Sequence, residues 1–351
     1  MNETITRERY RSCTLCPRMC RVDRSAAVGF CGCGDTPRAA RAALHKWEEP
    51  CLSGAECEPG GSGTVFFSGC TLRCCFCQNY QISSEAFGRD LSPDRLAQIF
   101  LELQDQGAHN INLVTATQFL PDILDALDQV KSQLHIPVIY NCGGYERVET
   151  VKALKDYVDI WLPDFKYFDN QLAARYSKAP DYFETAAAAI LQMIEQTGAP
   201  RYYAETDLGA PAAPGTLAAP GAPAAPGTLT APGALAAPGA PGSPNAPSPS
   251  LMKSGVIIRH MVLPSHRNDS IALLRWISEH FPKGQYLISL MSQYTPFYHS
   301  SDFPELNRRI TSFEYNRVVD EAIALGLTEG FMQEKSSAKE EYTPPFDLEG
   351  L

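Results

Sequence analysis

The chain has no run of eighteen apolar residues, and its first residues, MNETITRERYR, carry charge with no apolar stretch behind them. Those absences argue against a membrane span and a secretory leader, so the sequence predicts a soluble, cytoplasmic protein. No long Lys/Arg run interrupts a formal charge of −10, which argues against a nucleic-acid or membrane-surface partner. Cysteine is nearly missing from the last four-fifths: eleven of the twelve lie at or before residue 77, and only Cys142 lies beyond. That bunching at metal-ligand spacings predicts reduced thiols holding metal rather than a disulfide framework.

The segment 209–250 lacks charge and aromatic residues and is nearly all Ala, Pro and Gly. Frequent Pro blocks helix and sheet, and there are too few large side chains to offset ordering, so it reads as a disordered insertion. Closing it in place of a short loop costs only about 2 kcal/mol more, so a packed domain tolerates it.

Outside the insertion, β-branched apolar runs alternate with helical patterns after residue 60. Strands are expected at 64–68, 110–115, 138–142, 159–164, 256–263 and 286–291, and helices at 121–134, 147–157, 182–196 and 270–280. Another helix should start with Ser92 as N-cap and Pro93 in its first turn, and a last one with the capping box Thr311-x-x-Glu314. The pattern predicts an α/β fold, a partial (β/α)6 TIM-like barrel. Its parts are a Cys-rich N-terminal region (1–60), the barrel in two pieces (61–208 and 251–300) around the insertion, and a C-terminal helix and tail (301–351).

The barrel's first strand runs into SGCTLRCCFCQNYQIS, where Cys70-x3-Cys74-x2-Cys77 offers three thiolates from one loop at a strand's C-terminal end. Three ligands on a four-iron cluster leave one iron open, whereas an electron-transfer cluster normally has four cysteines. Cys75 is an alternative fourth ligand, although its place beside Cys74 makes joint ligation awkward, and a structural zinc knuckle is the bland alternative. Upstream, Cys13, Cys16, Cys20 and Cys31, with Cys33 spare, form a second candidate metal site, for zinc or an auxiliary iron–sulfur cluster. Between the two clusters, Glu48 and Glu49 read as a solvated acidic bend, with a substrate-facing role as the alternative.

CTLRCCFC resembles the signature of the radical S-adenosylmethionine (SAM) superfamily, with Phe76 as its aromatic position. EEPCLSG, GSGTVFFSGC, LPDFKY, IIRHMVLP, LMSQYTP and YTPPFDLEG resemble the branch related to the pyruvate formate-lyase activating enzyme, often labelled PflX, over almost all the chain except the insertion. The resemblance implies a 4Fe–4S cluster on Cys70, Cys74 and Cys77, SAM on the fourth iron, and an activating-enzyme-like oxidoreductase that makes a 5′-deoxyadenosyl radical for hydrogen abstraction. It also implies a reductant such as flavodoxin or ferredoxin and, as partner, a glycyl radical enzyme. A small-molecule substrate or a non-catalytic metal-stabilised binding protein are the alternatives.

Relatives usually carry Gly-Gly-Glu after the second strand to meet the methionine amino group. This chain has VTATQF, so Thr115 and Thr117 stand in for it. By the same resemblance Asn141, Asp164, Lys166, Arg259 and His260 are cofactor-binding candidates. Arg259 and His260, being adjacent on a strand, point to opposite faces, so at most one of them faces the barrel interior.

Overall fold

In the computed structural model, residues 5–55, 59–204, 250–333 and 344–351 are described. The strands are β1 (Arg38–His45), β2 (Gly61–Phe67), β3 (Arg89–Asp90), β4 (Ala108–Val114), β5 (Val138–Cys142), β6 (Ile160–Pro163), β7 (Arg201–Tyr202), β8 (Met252–Met261), β9 (Leu287–Met291) and β10 (Gly330–Met332). The helices are α1 (Pro50–Ser53), α2 (Tyr80–Ser83), α3 (Pro93–Asp105), α4 (Leu120–Val130), α5 (Val148–Ala153), α6 (Asn170–Ser177), α7 (Tyr182–Thr197), α8 (Arg267–His280) and α9 (Ser312–Ala324).

The sheet order is β10-β9-β8-β6-β5-β4-β2-β1-β3, and β2, β4, β5, β6, β8 and β9 run parallel in chain order. This is the expected partial β/α barrel, left open between β10 and β3. Every residue of β5, β6 and β9 is buried, as strands covered on both faces require. The six expected strands all form.

The expected caps form as well. Ser92 accepts from the Arg95 N–H at the start of α3, and Thr311 with Glu314 makes both halves of the capping box on α9. The helices expected at 121–134 and 147–157 are shorter, ending at Val130 and Ala153. After Ala153 the chain tightens, the Leu154 N–H reaching back only to the Val151 carbonyl.

β1, β3, β7 and β10 are unforeseen strands, and β1 is the longest of them. Its sequence RAARAALH favours helix locally, but it runs antiparallel to β2 and is held on its other side by the C-terminal tail. The Ala42 N–H donates to the Glu349 carbonyl (2.9 Å) and the Leu348 N–H to the Ala40 carbonyl (3.0 Å). Tertiary pairing overrides propensity here, and the N-terminal region becomes part of the barrel's sheet.

The insertion read over 209–250 lies, except for Ser250, outside the described residues. Its flanks meet: β7 pairs antiparallel with β8, and the Tyr203 N–H donates to the Leu251 carbonyl at 2.9 Å.

The Gly143-Gly144 turn after β5 packs against the loops that matter most. Gly144 has φ 76, and a Cβ there would collide with the Asp164 carbonyl and come within 3.1 Å of the Tyr182 hydroxyl. Gly144→Ala should therefore destabilise the chain by about 1–3 kcal/mol in urea denaturation. An unchanged midpoint would show that the turn relaxes freely.

Candidate functional site

The loop after β2 wraps back onto α6. The Cys75 N–H donates to the Tyr176 carbonyl at 2.8 Å and the Arg73 N–H to the Ser177 carbonyl at 3.3 Å. Two of its thiols receive hydrogen bonds, Cys70 Sγ from the Leu72 N–H (3.4 Å) and Cys74 Sγ from the Ser177 hydroxyl (2.9 Å), and Cys77 Sγ lies 3.2 Å from the Ser83 hydroxyl. Burial pushes all three thiols up, Cys77 to about 11, and Cys74 and Cys77 each raise Cys70 further.

Cys75 behaves differently. It lines a separate cavity of about 260 Å³ with Arg73, Tyr176 and Tyr298, and its own carbonyl accepts from the His299 N–H at 2.8 Å. Phe76 is buried, edge-on to Tyr294 at 5.9 Å between ring centres.

A buried polar network faces this loop. Arg259 on β8 donates through Nε to Asp164 (3.0 Å), through Nη1 to Glu48 (3.2 Å) and through Nη2 to Asn141 (2.5 Å). Lys166 donates to Asp164 at 2.6 Å, and Asn112 to Glu48 at 3.1 Å. Burial opposes the charge on Asp164, but Lys166 and Arg259 outweigh it and hold its carboxyl below the usual range. Glu48 and Glu49 move the other way, raised by burial against the pull of Arg259. Four of the cofactor candidates, Asn141, Asp164, Lys166 and Arg259, thus come together.

Others stand apart. His260 lies on the opposite face of β8 from Arg259, with Nδ1 2.7 Å from the Phe165 carbonyl and Nε2 2.8 Å from the Ser270 hydroxyl. Both ring nitrogens are used and burial lowers its pKa to about 4, so it is a neutral packing histidine rather than part of the network. Thr117 is likewise committed, 2.9 Å from the Tyr140 hydroxyl and donating to Glu146 at 2.7 Å.

Thr115 remains available. It holds φ 58, a costly value for a β-branched residue, and among the described residues its hydroxyl has no hydrogen bond.

The acidic bend is corrected. Glu48's side chain is 10% exposed and Glu49 is buried, because β1 carries them under the sheet to meet Arg259. Sequence reasoning also missed Gln118, whose Nε2 donates to the carbonyls of Ser68 (2.9 Å), Gly69 (3.1 Å) and Thr115 (2.7 Å) and ties the cysteine loop to the end of β4. Its signal was one polar residue inside the apolar TATQFL. Ser177 gave no signal, being placed by α6 alone.

Comparison with known proteins bears on the same loop. Residues 64–197 match the Radical SAM superfamily. The match takes in the cysteine loop and the strands β4, β5 and β6 that face it. An uncharacterized protein of Methanocaldococcus jannaschii is 26% identical over 326 residues, covering 90% of this chain and 75% of that one. Among solved structures, Streptococcus suis SuiB bound to S-adenosylmethionine is 13% identical with a TM-score of 0.41, covering 78% of this chain and 47% of that one. Methylornithine synthase is 12% identical with a TM-score of 0.43, covering 75% and 60%. The chain therefore spans about half the length of SuiB.

The radical SAM match implies a 4Fe–4S cluster and SAM as resident groups. The donor set fits the cluster. Among the described residues no three Cys, His, Asp or Glu side chains converge as a single ion requires, yet three half-buried soft donors share one loop, as a multi-iron group requires. Unpartnered buried oxygens, Glu49 Oε2 and Asn112 Oδ1, sit beside the polar network and leave acceptors for a bound molecule. No helix among the described residues is long and apolar enough to cross a membrane.

Beneath the site, burial pushes Glu146 up to about 8 against the opposing Thr117 hydrogen bond. Between the ordinary glutamate value of 4.5 and about 8 the folded chain keeps a proton that the unfolded chain has lost. Its contribution is thus fully present below that window and lost as pH rises through about 8. In the metal-free chain Glu146→Gln should flatten the fall in stability between pH 5 and 8, by roughly a few kcal/mol. Parallel pH profiles for the two chains would contradict this placement.

Proposed function

We propose that this chain is a radical SAM enzyme in which Cys70, Cys74 and Cys77 hold a 4Fe–4S cluster and leave one iron for SAM. The observation that carries this reading is the set of three half-buried thiols on one strand-end loop, with the fourth, Cys75, buried and lining a separate cavity. When bound, the cluster and SAM supply a one-electron reductive cleavage that gives a 5′-deoxyadenosyl radical for hydrogen abstraction.

The chain's own residues position these groups. Ser177 and Ser83 hydrogen-bond two of the sulfurs and so tune them. Lys166 is held by Asp164 through one of its three N–H groups, which leaves two for a carboxylate such as that of SAM. The Thr115 hydroxyl is free for the amino group. Arg259 is used up by Asp164, Glu48 and Asn141 and acts as the anchor that orders them.

The unpartnered Glu49 and Asn112 oxygens favour a small substrate carrying hydrogen-bond donors. The PflX-like motifs favour a second reading, activation of a glycyl radical enzyme. Either requires a low-potential one-electron donor of the flavodoxin or ferredoxin class.

Two variants test the reading. Cys74→Ala should lose most iron and all 5′-deoxyadenosine formation after anaerobic reconstitution, while Cys75→Ala should keep both and lose on the order of 1 kcal/mol of packing. If Cys75→Ala is folded yet as inactive as Cys74→Ala, the ligand set is wrong. An intact cluster that never yields 5′-deoxyadenosine in the unaltered chain would favour a binding protein instead.

A further inference from the structure

Two of the N-terminal thiols, Cys20 and Cys31, border one space, and Cys13 and Cys16 lie near it. The Cys13 N–H donates to the Val22 carbonyl (3.0 Å), and the Arg21 N–H returns to the Cys13 carbonyl (2.9 Å). This hairpin carries Cys13 and Cys20 to the same end. Gly29 lies between two sulfurs: a Cβ there would stand 3.3 Å from Cys20 Sγ and 3.4 Å from Cys31 Sγ, so any other residue would crowd the space they border. Cys16 lies within electrostatic range of Cys13 and Cys31, and Cys13 within range of Cys20. Cys33 is hydrogen-bonded to the Cys31 side chain, and its thiol also donates to the Ser68 carbonyl at 3.4 Å.

A second, independent observation concerns charge. Arg24 is only 2% exposed, and among the described residues it has no carboxylate partner. Its N–H groups meet the carbonyls of Cys33 (3.3 Å), Gln118 (2.5 Å) and Gly34, and Nη1 lies 3.9 Å from Cys13 Sγ. A buried guanidinium is costly unless something negative stands against it, and the groups around it that can become negative are the thiols of Cys13 and Cys31 and the Tyr10 hydroxyl. Anionic sulfur on a metal centre supplies that charge.

We propose that Cys13, Cys16, Cys20 and Cys31 hold a second iron–sulfur cluster, a four-iron centre ligated wholly by thiolates. A structural zinc would draw its sulfurs to about 2.3 Å from one ion. No three metal-binding side chains among the described residues converge that way, whereas a four-iron cluster holds its ligands farther apart. With all four irons ligated, this centre has no position for SAM, and its chemistry is exchange of one electron with a low-potential donor. It adjoins the first loop directly: the Cys70 N–H donates to the Cys31 carbonyl at 3.4 Å, and Arg73 donates to the Phe30 carbonyl at 2.7 Å.

The test removes the first site to expose the second. The triple variant Cys70→Ala, Cys74→Ala, Cys77→Ala, reconstituted anaerobically with iron and sulfide, should keep about four irons per chain and brown charge-transfer absorption. Dithionite reduction should give an electron paramagnetic resonance signal that SAM leaves unchanged. Adding Cys16→Ser should remove the iron. A folded triple variant that binds no iron, or zinc alone, overturns the proposal. If the triple variant does not fold, the unaltered chain should carry about eight irons and the Cys13, Cys16, Cys20, Cys31→Ser variant about four. Equal iron in those two chains overturns the proposal while leaving the Cys70 site standing.

Discussion

Three half-buried thiols crowded on one loop cannot all ionise unless a metal takes the charge. In the metal-free chain desolvation pushes Cys70, Cys74 and Cys77 up, and charge on Cys74 raises both Cys70 and Cys77 further. Binding iron must therefore expel protons, and the loop gains its ligand field only as the metal arrives. Much of the surrounding structure holds that loop in place beforehand: α6 through main-chain hydrogen bonds, Gln118 through three carbonyls, and Gly143 by leaving room for Leu72.

The second constraint is the guanidinium of Arg259. It draws together β5, β6 and the segment after β1, elements far apart in sequence. Removing it would leave Asp164 and Glu48 buried with less compensation, so the network has to exist whole. That interdependence places Lys166 beside the cysteine loop with N–H groups to spare. The strain at Thr115 lies on the same rim, where the backbone turns as glycine would but with a hydroxyl to offer.

Strand positions and the caps of α3 and α9 were legible because each rests on local pattern: apolar runs, Ser92 before Pro93, and Thr311 before Glu314; thiol spacing likewise put Cys70, Cys74 and Cys77 on one loop. What the sequence concealed depends on distant chain segments. RAARAALH is a strand only because β2 and the tail flank it, and Glu48 and Glu49 are buried only because β1 delivers them to Arg259. His260 and Thr117 were plausible by position, yet Ser270, Phe165, Tyr140 and Glu146 occupy their polar atoms. Alternation on β8 did show in advance that Arg259 and His260 would part company.

The central claim is that three thiolates leave one iron free to take SAM. It is tested most directly by electron paramagnetic resonance of the dithionite-reduced, reconstituted chain with and without SAM. Direct coordination predicts that part of the cluster signal changes its g-values when SAM is added, and that this part is missing from Cys74→Ala. A spectrum unaltered by saturating SAM in a chain with full iron content would contradict the account.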